Sequence, residues 1–188
     1  MRVLFDQGEL QAATEVARTM FSDHGPNLGA WPIPALIAWM DGDRDAAASG
    51  LVAWHRDIFE HVPAAFRLHA VAMATQIAVD LRLTEIAADL ATELRPRRGQ
   101  WASWSTEIAD RLVDHCLGAL EIVLGDTEVG DGTLRAAVAD YRRAGTRARL
   151  TDALADLAVL TGDADARTEA LALADELGMK GVTARLTP

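Results

Sequence analysis

One punctuation mark recurs along this chain: a glycine or Gly-Asp turn, followed directly by an amphipathic Ala/Leu segment. "GELQAATEVARTM" opens at Gly8, "GDRDAAASGLVAW" at Gly42, "GDTEVGDGTLRAA" at Gly125 and "GDADARTEALALA" at Gly162, while "RLTEIAADLATEL" puts Arg82 in the same slot. Successive slots lie 34, 40, 43 and 37 residues apart, a drifting period that suits helix hairpins joined by loops of variable length. The phrases "AAVADYRRAG" and "ALALADELGMKG" set Gly145 and Gly178 33 residues apart, each where a left-handed helix C-cap belongs. β-Branched residues are scattered, two-residue alternation never persists, and Ala and Leu recur at three- and four-residue spacing. The sequence therefore predicts an all-α fold.

Small residues keep step with the turns. Five positions after the slots stand Ala13, Ala47, Ala87 and Gly130, with Arg167 the exception, and seven before them stand Ala35, Thr75, Gly118 and Ala155. A small side chain lets two helix backbones approach closely, so these positions mark where the two helices of each hairpin cross. In this pattern the chain resembles tetratricopeptide repeats, most clearly at "CLGALEIVLGDTEVG", residues 116–130, with its Leu-Gly pair, Gly-Asp turn and small residue in the second helix. The stretch from "ADLATELRPRRGQW" through "VDHCLGALEIVLGD" to "ALADELGMKG", about Ala88 to Leu186, also resembles the C-terminal tetratricopeptide-like region of large bacterial ATP-dependent transcriptional regulators and of adenylate cyclase/ATPase fusions. The resemblance implies a right-handed superhelix of antiparallel hairpins, an α-solenoid. A single domain is expected over residues 1–188, with a half-repeat at 1–22 and hairpins at about 32–60, 63–95, 105–145 and 147–178. "MRVLFD" is too short for a full helix before Gly8, so the chain is expected to begin in mid-repeat. Without a GxxxxGK[ST] loop or room for a terminal helix-turn-helix, only the sensing or scaffold portion of such a regulator is expected.

Composition narrows the classes further. At 50% hydrophobic and 24% charged, the chain can bury a core and is too apolar to be disordered. Its net charge of −10 repels phosphate backbones and argues against direct nucleic-acid binding. The single cysteine, Cys116, excludes an internal disulfide and a CxxC zinc cage, in keeping with a cytoplasmic protein. Asp6 and Glu9 break any secretory signal core, and "GAWPIPALIAWM" is too short to span a bilayer and is interrupted by Pro32 and Pro34, so no membrane association is expected.

No catalytic set assembles from the motifs. Asp114, His115 and Cys116 are neighbours in sequence, but consecutive helix residues point about 100° apart, which separates a nucleophile from its base. His24, His55, His61 and His69 lack metal-ligand spacing, and the acidic residues near Asp152, Asp156, Asp163 and Asp165 form no D-x-D-x-D-G loop. Neither cofactor nor metal is expected. Two basic stretches invite attention. "RPRRGQWASW" joins Arg95, Arg97 and Arg98 to Trp101 and Trp104, a composition suited to gripping an anionic or aromatic group, or alternatively to capping a helix and plugging a hairpin junction. Arg135, Arg142, Arg143, Arg147 and Arg149 cluster at the next hairpin end, where exposed arginines are ordinary.

The resemblance to tetratricopeptide superhelices implies that the first helix of each hairpin lines a concave surface. It carries that role to Trp39 and Met40, to His69, Gln76 and Asp80, to His115, and to Arg149, Asp152 and Asp156. The expected function is non-catalytic: a protein-interaction or scaffold module, the regulatory part of a bacterial transcriptional regulator, binding a protein segment or effector in its groove. The alternative is a small-molecule sensor whose ligand controls oligomerisation. Leu10, Ala13, Val16, Ala17, Met20 and Phe21 give the first helix an apolar face, from which a homodimer through the N-terminal half-repeat is expected.

Overall fold

Side-chain caps start two of the helices. In the computed structural model, which describes residues 9–24, 31–105 and 108–187, α1 is Leu10–His24, α2 Ile33–Met40, α3 Arg44–Asp57, α4 Ala64–Asp80 and α5 Thr84–Leu94. Further along lie α6 Val113–Val123, α7 Thr127–Ala144, α8 Arg147–Thr161, α9 Ala164–Leu177 and α10 Lys180–Leu186. The Asp43 carboxylate accepts the Ala46 N–H at 3.0 Å to start α3, and Asp163 accepts that of Ala166 at 2.8 Å to start α9, so the aspartate caps the next helix in two of the three Gly-Asp turns, Asp126 making no such bond. Gly145 and Gly178 close α7 and α9 in the left-handed conformation expected of them, and Gly162 closes α8 in the same way. Pro63 precedes α4, where its fixed φ suits a helix entry.

The expected small-residue positions are buried, and Gly118 and Gly130 stand at a close helix crossing, while Ala35 is met by Gly50 and not by the expected Ala47. Ala13, Ala47, Ala87 and Ala155 are fully buried, with Ala35 and Thr75 nearly so. At the α6–α7 crossing a Cβ on Gly118 would stand 2.8 Å from the Leu134 backbone nitrogen and 2.9 Å from the Gly130 oxygen. One on Gly130 would stand 2.7 Å from both the Gly118 oxygen and the Ile122 nitrogen. Gly118 meets Gly130 and Leu134 while Ile122, further along α6, meets Gly130, so the two helices run antiparallel. Each helix packs on the next in sequence, and a second set of contacts links α2 to α4, α4 to α6, α6 to α8 and α8 to α10. The even-numbered helices thus form a continuous row. Two apolar clusters fill the interior and meet at α6, which gives Cys116, Leu117 and Leu120 to the N-terminal one and packs by Gly118 on Leu134 of the C-terminal one.

The expectation of helix from about residue 105 needs correction. Trp101–Ser105 (β1) and Ile108–Leu112 (β2) pair as antiparallel strands with an irregular register, and α6 begins only at Val113. Pro96 and Gly99, the latter at φ +77°, end the preceding helical run, and β1 then lies against α4. The strands are anchored chemically: the Leu112 N–H donates to the Tyr141 hydroxyl at 2.8 Å, and the Trp101 ring sits edge-on to that of Tyr141. Apart from this pair and two 3₁₀ turns, Phe59–His61 and Arg95–Arg97, the ordered elements among the described residues are α-helices. No helix of the described residues is long and apolar enough to cross a membrane. In α1, Ala13 is buried and Thr14 donates to Asp41 at 3.0 Å, while the side chains of Leu10, Ala17, Met20 and Phe21 lie outside the described residues.

Candidate functional site

The row of even-numbered helices encloses a recess of about 90 Å³. Trp39 comes to it from α2, Gln76 and Asp80 from α4, His115 from α6, Asp156 from α8 and Arg185 from α10. Five residues singled out by their offset from the turns, Trp39, Gln76, Asp80, His115 and Asp156, therefore share one wall although they span 117 positions of sequence. The physical reason is the spacing itself: the five stand two, three, six, six and ten residues before their turns, offsets three or four apart that keep to one face of a helix, and stacking brings those faces together.

Hydrogen bonds fix the lining. The Trp39 indole N–H donates to Asp80 Oδ2 at 3.0 Å, and Arg44 donates to the same oxygen and to the Asp80 carbonyl, both at 2.9 Å. His115 is fully buried, with Nε2 2.8 Å from Asp156 Oδ2 and Nδ1 3.1 Å from the Tyr141 hydroxyl. An ionised Asp156 only accepts, so Nε2 carries the proton and Nδ1 accepts from the tyrosine, whose oxygen takes the Leu112 N–H. Burial pushes the His115 imidazole below its ordinary 6.5 and outweighs the opposing hydrogen bond to Asp156. Burial alone would raise the Asp156 carboxyl, but the Arg185 guanidinium and then the His115 hydrogen bond hold it well below the usual carboxylate range. Burial likewise raises the Tyr141 hydroxyl, which stays protonated. Both imidazole nitrogens are occupied within the protein, so His115 is a structural strut and presents no free base to a substrate.

A charged layer lies beside it. Asp152 is fully buried, accepts from Arg149 at 3.1 Å and stands 4.0 Å from Arg111, whose guanidinium also reaches Gln76 Oε1 at 3.5 Å. Arg149 and Asp152 thus flank the recess without belonging to its lining. Two of the concave-surface expectations go elsewhere: the His69 ring packs edge-on to Trp31 at 5.7 Å between centroids, and Met40 is core. The "RPRRGQWASW" arginines serve the fold. Arg97 faces Glu93 at 3.5 Å, Arg98 donates to Asp114 at 2.9 Å and to Thr133 at 3.2 Å, and Trp101 meets Tyr141. The Trp104 side chain lies outside the described residues. In the second basic cluster Arg135 joins Asp163 at 2.7 Å, Arg142 pairs with Glu169, Arg143 with Asp140 and Arg147 with Glu176, tying α7 and α8 to α9 or to their own turn.

Sequence reasoning missed the three arginines of the lining. Arg111 sits on the unexpected β2, Arg185 on a short helix beyond the last expected hairpin, and Arg82 was read only as a turn residue. Arg82 carried the one available signal, an arginine standing where the other turns have glycine. No protein-family model, curated protein or solved structure matches the chain.

Proposed function

We propose that this chain is a non-catalytic recognition module, a tetratricopeptide-like solenoid whose stacked first helices hold a small polar effector in the recess between them. The observation that carries the reading is the convergence of Trp39, Gln76, Asp80, His115 and Asp156 from four helices on one cavity. Continuous packing of the even-numbered helices supports a superhelix in which those helices form the inner layer. A recess of about 90 Å³ with an indole on its wall and a few convergent polar groups favours a small effector over an extended peptide, which needs a long open groove. Closing a ligand between neighbouring hairpins biases how they stack, and in a quasi-one-dimensional array that bias reaches both ends. The resemblance to bacterial ATP-dependent regulators supplies the setting: a cytoplasmic regulatory part that passes effector occupancy to a protein partner or to a second copy of itself.

Thermal-shift screening of a metabolite panel tests this. The reading expects compounds that raise the melting temperature of the wild type, lose the effect in Gln76→Leu, and are recovered chemically unchanged. A panel without such a compound, or one whose active member is consumed, contradicts it.

A further inference from the structure

The longest of the four turn intervals, 43 residues, houses the β-hairpin between α5 and α6. That hairpin is wedged where the two apolar clusters meet. Ala102 belongs to the N-terminal cluster, Leu112 to the C-terminal one, and Trp101 packs against the latter. The recess straddles the same joint: Trp39, Gln76 and Asp80 line it from α2 and α4, Asp156, Val159 and Arg185 from α8 and α10, and Arg111 from the wedge itself.

Arg111 reaches to both sides. It is 5% exposed, and its Nη2 stands 3.5 Å from Gln76 Oε1 on α4 and 4.0 Å from Asp152 Oδ2 on α8, a carboxylate shared with Arg149 at 3.1 Å. Stacked hairpins couple nearest neighbours, and α6 lies between α4 and α8 in the row. A side chain that spans the two therefore supplies a link that neighbour packing does not. The link is buried, where charges attract more strongly than at the surface. Both distances lie at the outer limit of direct contact, so a shift of about 1 Å in either helix makes or breaks it.

Resting on the binding-module reading above for the ligand, we propose that the recess is regulated through this joint: Arg111 clasps the N-terminal and C-terminal halves of the solenoid together, and an effector lodged between α4 and α8 tightens the clasp. Occupancy then changes how firmly the halves move as one body, and leaves the fold of each half as it is. A ligand shifts such an equilibrium only by preferring one arrangement, and contacts from both halves to one molecule supply that preference.

Native-state hydrogen exchange of the full chain in low urea, with no ligand added, tests the clasp. The buried amides of Ala74, Ile77 and Ala78 report on α4, and those of Ala153, Leu154 and Leu157 on α8. In the wild type the two sets are expected to exchange through one common opening. In Arg111→Met they are expected to part, their rates differing by at least about tenfold. Replacing a buried ion by an apolar side chain is often neutral for global stability, so the readout is the difference between the halves and not the melting temperature. Gln76→Leu cuts the α4 arm, keeps Arg111 beside Asp152, and is expected to part the two sets in the same direction. It decides the matter should Arg111→Met not fold. The inference is overturned if the two sets already exchange separately in the wild type, or if the variants leave them together, whether unchanged or faster by one shared factor. Such a result would leave the binding module standing, whereas a metabolite panel without a binder contradicts the module and leaves the clasp to this measurement.

Discussion

Gly118→Ala is the sharpest test of the packing, because intrinsic helix preference and tertiary contact predict opposite signs for it. Replacing a mid-helix glycine by alanine stabilises an unhindered helix by about 1 kcal/mol. Gly132, exposed in α7 with nothing within 4 Å of an added Cβ, is such a site. At Gly118 the new methyl meets the Leu134 nitrogen at 2.8 Å and the Gly130 oxygen at 2.9 Å. Both are main-chain atoms of α7, so no side chain can rotate aside and the helices themselves have to part. Overpacking of that kind costs about 3 kcal/mol, the upper part of its usual range, and leaves a net loss of about 2 kcal/mol after the propensity gain. For a chain of this size about 1 kcal/mol moves the melting temperature by about 2–4 °C. Gly118→Ala is therefore expected to melt about 4–8 °C lower and Gly132→Ala about 2–4 °C higher, with urea midpoints moving in the same directions at unchanged m. A Gly118→Ala variant as stable as Gly132→Ala would refute the close crossing, and with it the argument from small-residue spacing.

Tyr141→Phe leaves the buried Leu112 N–H without its acceptor and His115 Nδ1 without its donor, and should cost about 1–3 kcal/mol in urea unfolding while far-ultraviolet circular dichroism stays unchanged. Stability should also fall in acid in two stages. The unfolded chain protonates His115 near its ordinary 6.5 while burial keeps the folded imidazole neutral, so stability drops as pH falls below about 6.5. Asp156, held well below the usual carboxylate range when folded, adds a second loss below about pH 4. Urea midpoints between pH 7.5 and 5 should therefore decline in the wild type and run flatter in His115→Gln. A homodimer through the apolar face of α1 should dissociate in Val16→Glu, since a two-fold contact puts the new charge on both sides, and light scattering that finds the same mass in both proteins would place the interface elsewhere.

What could be read in advance was whatever repeats. The Gly-Asp turns, the buried small residues and the helix face that carries Gln76, Asp80, His115 and Asp156 to the recess all follow from a period, and a period survives without knowledge of tertiary structure. The β-hairpin was illegible because "WASWS" is too short and too poor in β-branched residues to announce a strand, and Tyr141, far along the chain, supplies the hydroxyl that anchors it. Arg111 was lost with it. His69 and Gln76 were indistinguishable in sequence because both sit at concave offsets on α4, and only the aromatic contact with Trp31 takes His69 out of the recess. The "RPRRGQWASW" stretch invited a binding reading because sequence shows its arginines together and leaves out their partners, Glu93 for Arg97 and Asp114 and Thr133 for Arg98.

The most direct test of the recess as the binding site is amide chemical-shift mapping of the full chain against the same metabolite panel. The account predicts that a binding compound moves the amides of Gln76, Val79, Ala119, Val159 and Arg185 together, residues from four helices that meet only at the recess. Shifts confined to a single helix, or centred on the Arg97–Trp101 segment and leaving those five in place, would contradict it.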